Sequence, residues 1–289
     1  MDLLTLILFI LGFVLLISGA ELLVRGASRL AVAAGISPLV VGLTVVAYGT
    51  SAPELAVTIQ AGFAGQTNIA LGNVVGSNIA NILLVLGVSA AVAPLAVSQQ
   101  LIRWDIPIMI GLSVLVYIMG LNGTISRTDG LILFAGAVAY TIHAIYQSRK
   151  KNFVKPPAEE IDIDPEEIRR SLGIKTILLQ LAYIVIGLLL LVTGARWLVN
   201  GAVVLARMFN VNELIIGLTI VAVGTSLPEI ATSIVAALRG ARAIAVGNAV
   251  GSNIFNILLV LGLSSAVSPG GVMVDPAALN FDIPVMIAV

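Results

Sequence analysis

Two glutamates lie inside long apolar segments of this 289-residue chain. Glu54 ends the run GTSAPE at 49–54, and Glu229 ends the run GTSLPE at 224–229. A carboxylate at the depth of a lipid bilayer costs several kcal/mol unless it is paired or functional. Neither segment contains Lys or Arg, so a bound cation is the natural counter-charge. A protonated glutamate, hydrogen-bonded between helices, is the alternative.

A proline precedes each glutamate, at Pro53 and Pro228. Proline has no N–H to donate to the carbonyl four residues earlier, so we expect each helix to kink or break there. Freed carbonyls and nearby hydroxyls would make an all-oxygen site, which suits Ca²⁺ and Na⁺, whereas zinc and copper favour His and Cys. Without the glutamates, a kinked membrane helix with hydroxyls bonded backward would be the simpler interpretation. The hydroxyls belong to Thr50, Ser51, Thr225 and Ser226.

A second motif follows each glutamate, GNVVGSN at 72–78 and GNAVGSN at 247–253. Its GxxxG spacings, Gly72 with Gly76 and Gly247 with Gly251, predict close helix packing. Polar side chains four residues apart share one helix face. If these faces lie against the two glutamates, they complete a cage of neutral oxygen atoms around a cation. The side chains are Ser77 with Asn81 and Ser252 with Asn256.

The amino-acid composition indicates that membrane-spanning helices carry these candidate ligands. Hydrophobic residues make up 59% of the chain and charged residues 10%, and the mean hydropathy is +1.10, whereas soluble domains are about 25% charged. Apolar runs are continuous rather than alternating, which excludes a membrane β-barrel. Lys and Arg balance Asp and Glu, which argues against nucleic acid as a partner, and cysteine is absent. We therefore predict an all-α polytopic membrane protein.

The sequence also repeats itself. Residues 42–92 align with 217–267 at a constant offset of 175, and 33 of these 51 positions are identical. Five helices separate equivalent points, and an odd number inverts the second copy in the bilayer. We expect a first repeat of five helices at 1–148, a polar linker at 149–173 and a second repeat at 174–289. Two full repeats have ten helices; about eight to nine fit here, because the second copy stops early in its fourth.

Positive charge predicts the orientation of the chain. If the N-terminus lies outside, twelve of the fifteen Lys and Arg residues fall on the cytoplasmic side, as positive-inside asymmetry requires. Seven of the twelve lie in or beside the central linker. We therefore predict an integral membrane protein, with its N-terminus outside and the linker cytoplasmic. A prokaryotic inner or plasma membrane is the expected location.

The two motif pairs resemble the alpha-repeats of the cation/Ca²⁺ antiporter superfamily, in its sodium/calcium exchanger branch. The resemblance covers essentially the whole chain, since the repeat number and the central polar loop match as well. It implies a core of four motif-bearing helices, with the first helix of each repeat slanted against it. It also implies a set of cation ligands: the side chains of Glu54, Glu229, Thr50, Ser51, Ser77, Thr225, Ser226 and Ser252, the carbonyls of Ala47 and Ala222, and Asn81 and Asn256 in the remaining polar positions.

The function implied is secondary antiport of Ca²⁺ against Na⁺ by alternating access, without a cofactor other than the transported ions. Many family members carry an acid where this chain has Asn256, so Ca²⁺/H⁺ exchange and exchange involving K⁺ stay open. A cation channel is the alternative from another class, since acidic groups also select cations in pores. An enzyme is disfavoured: there is no thiol, and we expect the single histidine, His143, to have an interfacial or packing role.

Overall fold

The computed structural model describes residues 3–95, 97–150, 174–211, 220 and 222–289. Apolar segments that cross lipid must satisfy their backbone hydrogen bonds internally, and the α-helix does this within one segment. The described residues accordingly form helices α1 (Leu3–Ala34), α2 (Pro38–Thr50), α3 (Ala52–Phe63), α4 (Thr67–Val92), α5 (Leu101–Gly120), α6 (Arg127–Lys150), α7 (Ile174–Met208), α8 (Ala222–Thr225), α9 (Leu227–Leu238), α10 (Arg242–Val267) and α11 (Ala278–Ala288).

The helix inventory confirms an all-α polytopic membrane fold. Six of the described helices are long and apolar enough to cross a membrane, and the bent pair α2 and α3 makes a seventh span. Helices α9 and α11 are apolar but shorter. The predicted boundaries of the two repeats and their inversion stay predictions, and residues 151–173 of the predicted linker lie outside the described residues.

One small feature was not predicted. Strand β1 (Thr124–Ile125), which follows α5, pairs antiparallel with strand β2 (Val272–Met273), which follows α10. Two-residue strands carry no sequence signal of their own, because the pairing depends on where the helices bring the two loops. This short ladder ties the first half of the chain to the second.

Helices α1 and α7 are longer than the apolar segments that predict them. They span 32 and 35 residues, or about 50 Å, against a bilayer core of about 30 Å. Helices that exceed the bilayer thickness tilt. The first charge-poor stretch of the sequence ends near residue 24, before Arg25 and Arg29, yet the helix continues through both. Charge ended the apolar run without ending the helix.

Glycines let α1 and α7 touch backbone to backbone. A Cβ added to Gly19 would lie 2.7 Å from the carbonyl oxygen of Gly187, and one added to Gly187 would lie 2.8 Å from that of Gly19. Gly12 and Gly194 face each other in the same way. Small residues at these positions therefore allow the two helix backbones to approach closely.

The most buried helix is α10, whose central 18-residue window is 94% buried. Its GxxxG pair packs on α2: added Cβ atoms at Gly247 and Gly251 would lie 2.7 and 2.6 Å from the carbonyl oxygens of Leu39 and Leu43. The packing prediction is thus confirmed for the second copy of the motif. For Gly72 and Gly76, no described residue lies within 4 Å of such an atom. Their equivalent partners, residues 214 and 218, fall outside the described part.

We predict that Gly19→Ala destabilises the protein, because the new methyl group would collide with the backbone of α7. Ala in a helix interior is otherwise better than Gly by about 0.5–1 kcal/mol, whereas overpacking costs about 1–3 kcal/mol. The matched control is Gly111→Ala on α5, where an added Cβ meets nothing within 4 Å. Thermal melting in detergent should show a lower Tm for Gly19→Ala and an equal or higher Tm for Gly111→Ala. Equal melting of the two variants would contradict the close approach.

Candidate cation site

Each proline marks a break in its helix. Helices α2 and α3 meet at Ser51 with a bend of 46°, and the backbone of Ser51 leaves helical geometry at φ −79°, ψ 5°. Ser226, between α8 and α9, has nearly the same conformation, φ −88° and ψ 2°. The predicted breaks are confirmed. They place Glu54 and Glu229 in the first turns of α3 and α9, where the helix dipole favours negative charge.

The two glutamates face each other across the core. Each side chain is only 1% exposed, and their carboxyl groups are near enough to interact electrostatically. The carboxyl group of Glu229 also lies near the hydroxyls of Thr50 and Ser51, which come from the other half of the chain, but no hydrogen bond of good geometry joins them. A site built on these groups therefore uses residues from both sequence copies.

The structure buries almost all the other predicted ligands. Ala47 is buried, and its carbonyl accepts the N–H of Ser51 at 3.0 Å. Thr225 is partly buried, and the side chain of Ala222 lies outside the described residues. The hydroxyl of Thr50 is 3.4 Å from that of Ser252, so α2 and α10 meet at these two residues. Fully buried are Thr50, Ser51, Ser77, Asn81, Ser226, Ser252 and Asn256.

Buried oxygen atoms without hydrogen bonds concentrate at this site. Among the described residues, thirteen buried side-chain nitrogen or oxygen atoms have no hydrogen-bond partner, and seven of them are oxygens of predicted ligands. Each unsatisfied buried group costs about 1–3 kcal/mol, a cost that coordination of a hard cation removes. The seven are Ser51 Oγ, Glu54 Oε2, Asn81 Oδ1, Ser226 Oγ, Glu229 Oε1 and Oε2, and Asn256 Oδ1.

Acidic groups are sparse for a metal centre. No group of three or more His, Cys, Asp or Glu side chains that could hold a metal ion occurs within the part of the chain that the structure describes. The single histidine, His143, is exposed on α6 and lies 3.0 Å from the side chain of Gln147. The candidate site therefore combines two carboxylates with neutral oxygen atoms.

Two further asparagines, to which the sequence analysis assigned no role, hold the glutamate-bearing helices. Asn73 Nδ2 donates to the carbonyl oxygen of Glu54 at 3.3 Å and to Thr58 Oγ1 at 2.8 Å. Asn248 Nδ2 donates in the same way, to the carbonyl oxygen of Glu229 at 3.4 Å and to Ser233 Oγ at 3.0 Å. Their recurrence 19 residues after each glutamate is the signal that could have found them.

Four more amides form a second network between α4 and α10. Asn81 Nδ2 donates to Asn253 Oδ1, and Asn256 Nδ2 donates to Asn78 Oδ1, both at 3.0 Å. The side chains of Asn78 and Asn253 each donate to the other's backbone carbonyl oxygen, at 3.3 and 3.1 Å. Every bond thus has a counterpart displaced by 175 residues.

The candidate site has an opening on one side. A cavity of about 230 Å³ separates α7 from α3, and Arg196, Thr225 and Pro228 are among its lining residues. Away from the residues that line this cavity, α1 packs against α9. There Glu21 forms ion pairs with Arg25 on its own helix and with Arg239, the latter at 2.8 Å.

Sequence comparison identifies the architecture. The family profile described as sodium/calcium exchanger protein matches residues 4–146 and 179–289. The chain belongs to this family. The sodium/calcium exchangers are transporters, so the chain is an integral membrane antiporter of the cation/Ca²⁺ class.

Individual exchangers and antiporters are similar over most of their length. The putative antiporter CaxA of Alkalimonas amylolytica is 40% identical over 88% of this chain and 77% of its own. The sodium/calcium exchanger MaX1 of Methanosarcina acetivorans is 33% identical over 88% of this chain and 80% of its own. The solved structure of the sodium-calcium exchanger NCX_Mj soaked with 10 mM Na⁺ and zero Ca²⁺ superposes with a TM-score of 0.82, at 29% identity, over 99% of this chain and 90% of that one.

We predict that Glu54→Gln and Glu229→Gln each reduce Ca²⁺ affinity by more than about 100-fold. Removing one member of a buried charge pair costs about 3–5 kcal/mol, and each glutamate would be such a partner for the cation. Equilibrium Ca²⁺ binding to the purified protein measures the loss. The matched control is Asp282→Asn, which neutralises an exposed acid on α11. Near-wild-type binding by both glutamine variants would remove these residues from the site.

Proposed function

We propose that this antiporter exchanges Ca²⁺ for Na⁺ at a site formed by the predicted ligands of both sequence copies. The observation that carries the proposal is the set of seven buried oxygen atoms without hydrogen bonds, three of which belong to the two facing glutamates. Oxygen ligands of this kind suit Ca²⁺ and Na⁺. The proposed ligands are Glu54, Glu229, Thr50, Ser51, Ser77, Asn81, Thr225, Ser226, Ser252 and Asn256, with the carbonyls of Ala47 and Ala222.

Charge explains how such a site exchanges ions. Ionised Glu54 and Glu229 carry two negative charges, which one Ca²⁺ or two Na⁺ ions balance. One Ca²⁺ and two Na⁺ would use the same ligands, so binding of the one excludes binding of the other. With no ion bound, the protein cannot readily close around two bare carboxylates and expose them on the other side of the membrane, because desolvating an unpaired charge is costly. Each crossing therefore carries an ion, and the gradient of one ion drives the other.

Asn256 sets the charge of the site. An amide offers a neutral oxygen where an acid would add a third negative charge, so Glu54 and Glu229 are the only proposed acidic ligands. Any Na⁺ beyond two then binds to hydroxyl and carbonyl oxygens and carries net charge with it. Exchange with more than two Na⁺ per Ca²⁺ would therefore be electrogenic.

Relatives support Na⁺ as the coupling ion. MaX1 and NCX_Mj are both called sodium/calcium exchangers. Proton coupling is the competing function, because each of two facing carboxyl groups can carry a proton in place of Na⁺. The name of CaxA, a putative antiporter, specifies no ion.

Orientation determines which side of the membrane has access. With the N-terminus outside and the linker cytoplasmic, the cavity beside Arg196 opens toward the exterior. The ion pair of Glu21 with Arg239 then lies on the cytoplasmic side. This conformation is outward-facing, and the paired long helices α1 and α7 are the elements that would move against the core to reverse it.

We predict that Ca²⁺ uptake into proteoliposomes is driven by an outward Na⁺ gradient. Gradients of Na⁺, K⁺ and H⁺ are imposed separately at equal size, with ⁴⁵Ca²⁺ as the tracer. Glu54→Gln proteoliposomes provide the matched control for leak. We expect uptake with Na⁺ alone, because Na⁺ is the cation proposed to replace Ca²⁺ at the glutamates.

Other outcomes would replace the proposal with a named alternative. Uptake driven by H⁺ and indifferent to Na⁺ would indicate Ca²⁺/H⁺ exchange at the same site. A requirement for K⁺ would add it as a coupling ion. Ca²⁺ flux down its own gradient with no counter-ion would indicate a channel.

We predict that a cysteine at position 155, in a Lys155→Cys variant, is labelled only from the cytoplasmic side. Because the chain has no native cysteine, one introduced thiol reports on one position. A membrane-impermeant maleimide is applied to intact cells and to inverted vesicles, with Asn122→Cys, in the loop between α5 and α6, as the control for exterior labelling. Labelling of position 155 in intact cells would reverse the orientation.

A further inference from the structure

The two ends of the Asn81 and Asn256 amide groups differ, because the nitrogen ends are hydrogen-bonded and the oxygen ends are not. Each donates its Nδ2 to the partner copy, Asn81 to Asn253 and Asn256 to Asn78. Each Oδ1 is buried without a hydrogen bond. An amide can be turned so that either its oxygen or its NH₂ group faces a given direction. Only the oxygen attracts a cation, so the rotational state of these side chains decides whether they are ligands.

Asn78 and Asn253 determine that rotational state. The Oδ1 of each is the acceptor for Asn256 or Asn81, and an acceptor at that place can pair only with an NH₂ group. The remaining Nδ2 groups donate to backbone carbonyls across the helix pair. Both also lie 3.6 Å from a methionine sulfur, Met286 for Asn78 and Met109 for Asn253. All their polar atoms are therefore engaged, and the two side chains are 1% and 3% exposed.

We propose that Asn78 and Asn253 are positioning residues that turn the Oδ1 atoms of Asn256 and Asn81 toward the transported cation. The inference rests on the proposed function, in which Asn81 and Asn256 are ligands. Neither positioning residue is itself assigned to the cation.

The arrangement crosses between the two sequence copies. Asn78 in α4 orients a ligand in α10, and Asn253 in α10 orients a ligand in α4. In each case the ligand amide is oriented by a residue of the other sequence copy. The site therefore depends on the register of α4 against α10, which the reciprocal bonds between Asn78 and Asn253 fix.

A double-mutant cycle on Ca²⁺ binding tests the assignment. Removal of a group that orients a metal ligand typically lowers affinity by about 10–100-fold, so we expect this loss for Asn78→Leu. If Asn78 acts through Asn256, the loss disappears in an Asn256→Ala background, where no amide is left to orient. The matched control pairs Asn78→Leu with Asn81→Ala. Asn81 bonds to Asn253 and not to Asn78. The fold-losses in Ca²⁺ affinity of the two single variants should therefore multiply in the double variant.

Two further measurements separate orientation from folding. Asn78→Asp keeps an acceptor oxygen for Asn256 but loses the donor to the carbonyl of Asn253. It should therefore retain clearly more Ca²⁺ affinity than Asn78→Leu, whereas a purely structural role predicts equal losses. Thermal melting reports stability for every variant. Should Asn78→Leu not fold, the equivalent cycle of Asn253→Leu with Asn81→Ala makes the same test on the other helix.

The outcomes decide between the alternatives. An equal fold-loss from Asn78→Leu in the wild-type and Asn256→Ala backgrounds would overturn the proposal, as would an Asn78→Asp protein that binds as weakly as Asn78→Leu. Binding is measured in detergent without gradients, so the result does not depend on the coupling ion. Failure of Na⁺ to drive uptake would overturn the proposed exchange and leave this assignment standing.

Discussion

Two carboxyl groups enclosed in an apolar helix bundle are the constraint around which this protein is organised. Each glutamate is nearly inaccessible, and the two interact across the core. Burial of this kind is unstable without compensation. The broken helices supply part of it, because they aim two helix N-termini at the acids. Hydroxyls and amides from the neighbouring helices supply polar surroundings, and in the proposed function a cation supplies the charge.

The site belongs to the contact between the sequence copies rather than to either copy. Thr50 of the first copy bonds to Asn248 of the second at 3.1 Å, and the amide pairs of α4 and α10 bond reciprocally. The close approach of α10 to α2 at Gly247 and Gly251 makes these short bonds achievable. A duplicated sequence thus produces a functional centre that a single copy does not contain.

The sequence predicted those features that depend on residues close together in the chain. Proline at 53 and 228 dictates the helix breaks, and the spacing from Ser77 to Asn81 places both residues on one buried face. The extent of α1 did not follow from charge patterning, because its packing on α7 continues past Arg25 and Arg29. The π-helical turns that begin at Asn81 and Asn256 were not foreseen, since such turns depend on packing between helices.

The candidate ligands followed from residue type and from the repeat, whereas their hydrogen-bond partners did not. Asn73 and Asn248 recur in both motifs, yet nothing in their spacing tells that they bond to the carbonyls of the glutamates. Amide orientation is likewise decided by which acceptor lies across the helix contact. These features require the three-dimensional arrangement of α3, α4, α9 and α10.

In the proposed transport cycle, the ion pair of Glu21 with Arg239 would make the two opposed conformations unequal in energy. At the positions displaced by 175 residues the chain has Arg196 and Ala64, which cannot form an equivalent pair. A partly exposed pair contributes about 0.2–1 kcal/mol, enough to change a resting population by up to about fivefold. The ligands are nearly two-fold symmetric, but the surrounding charges are not. Salt screens exposed charges much more than buried ones, so higher ionic strength would weaken this pair and leave the buried ligands largely unaffected.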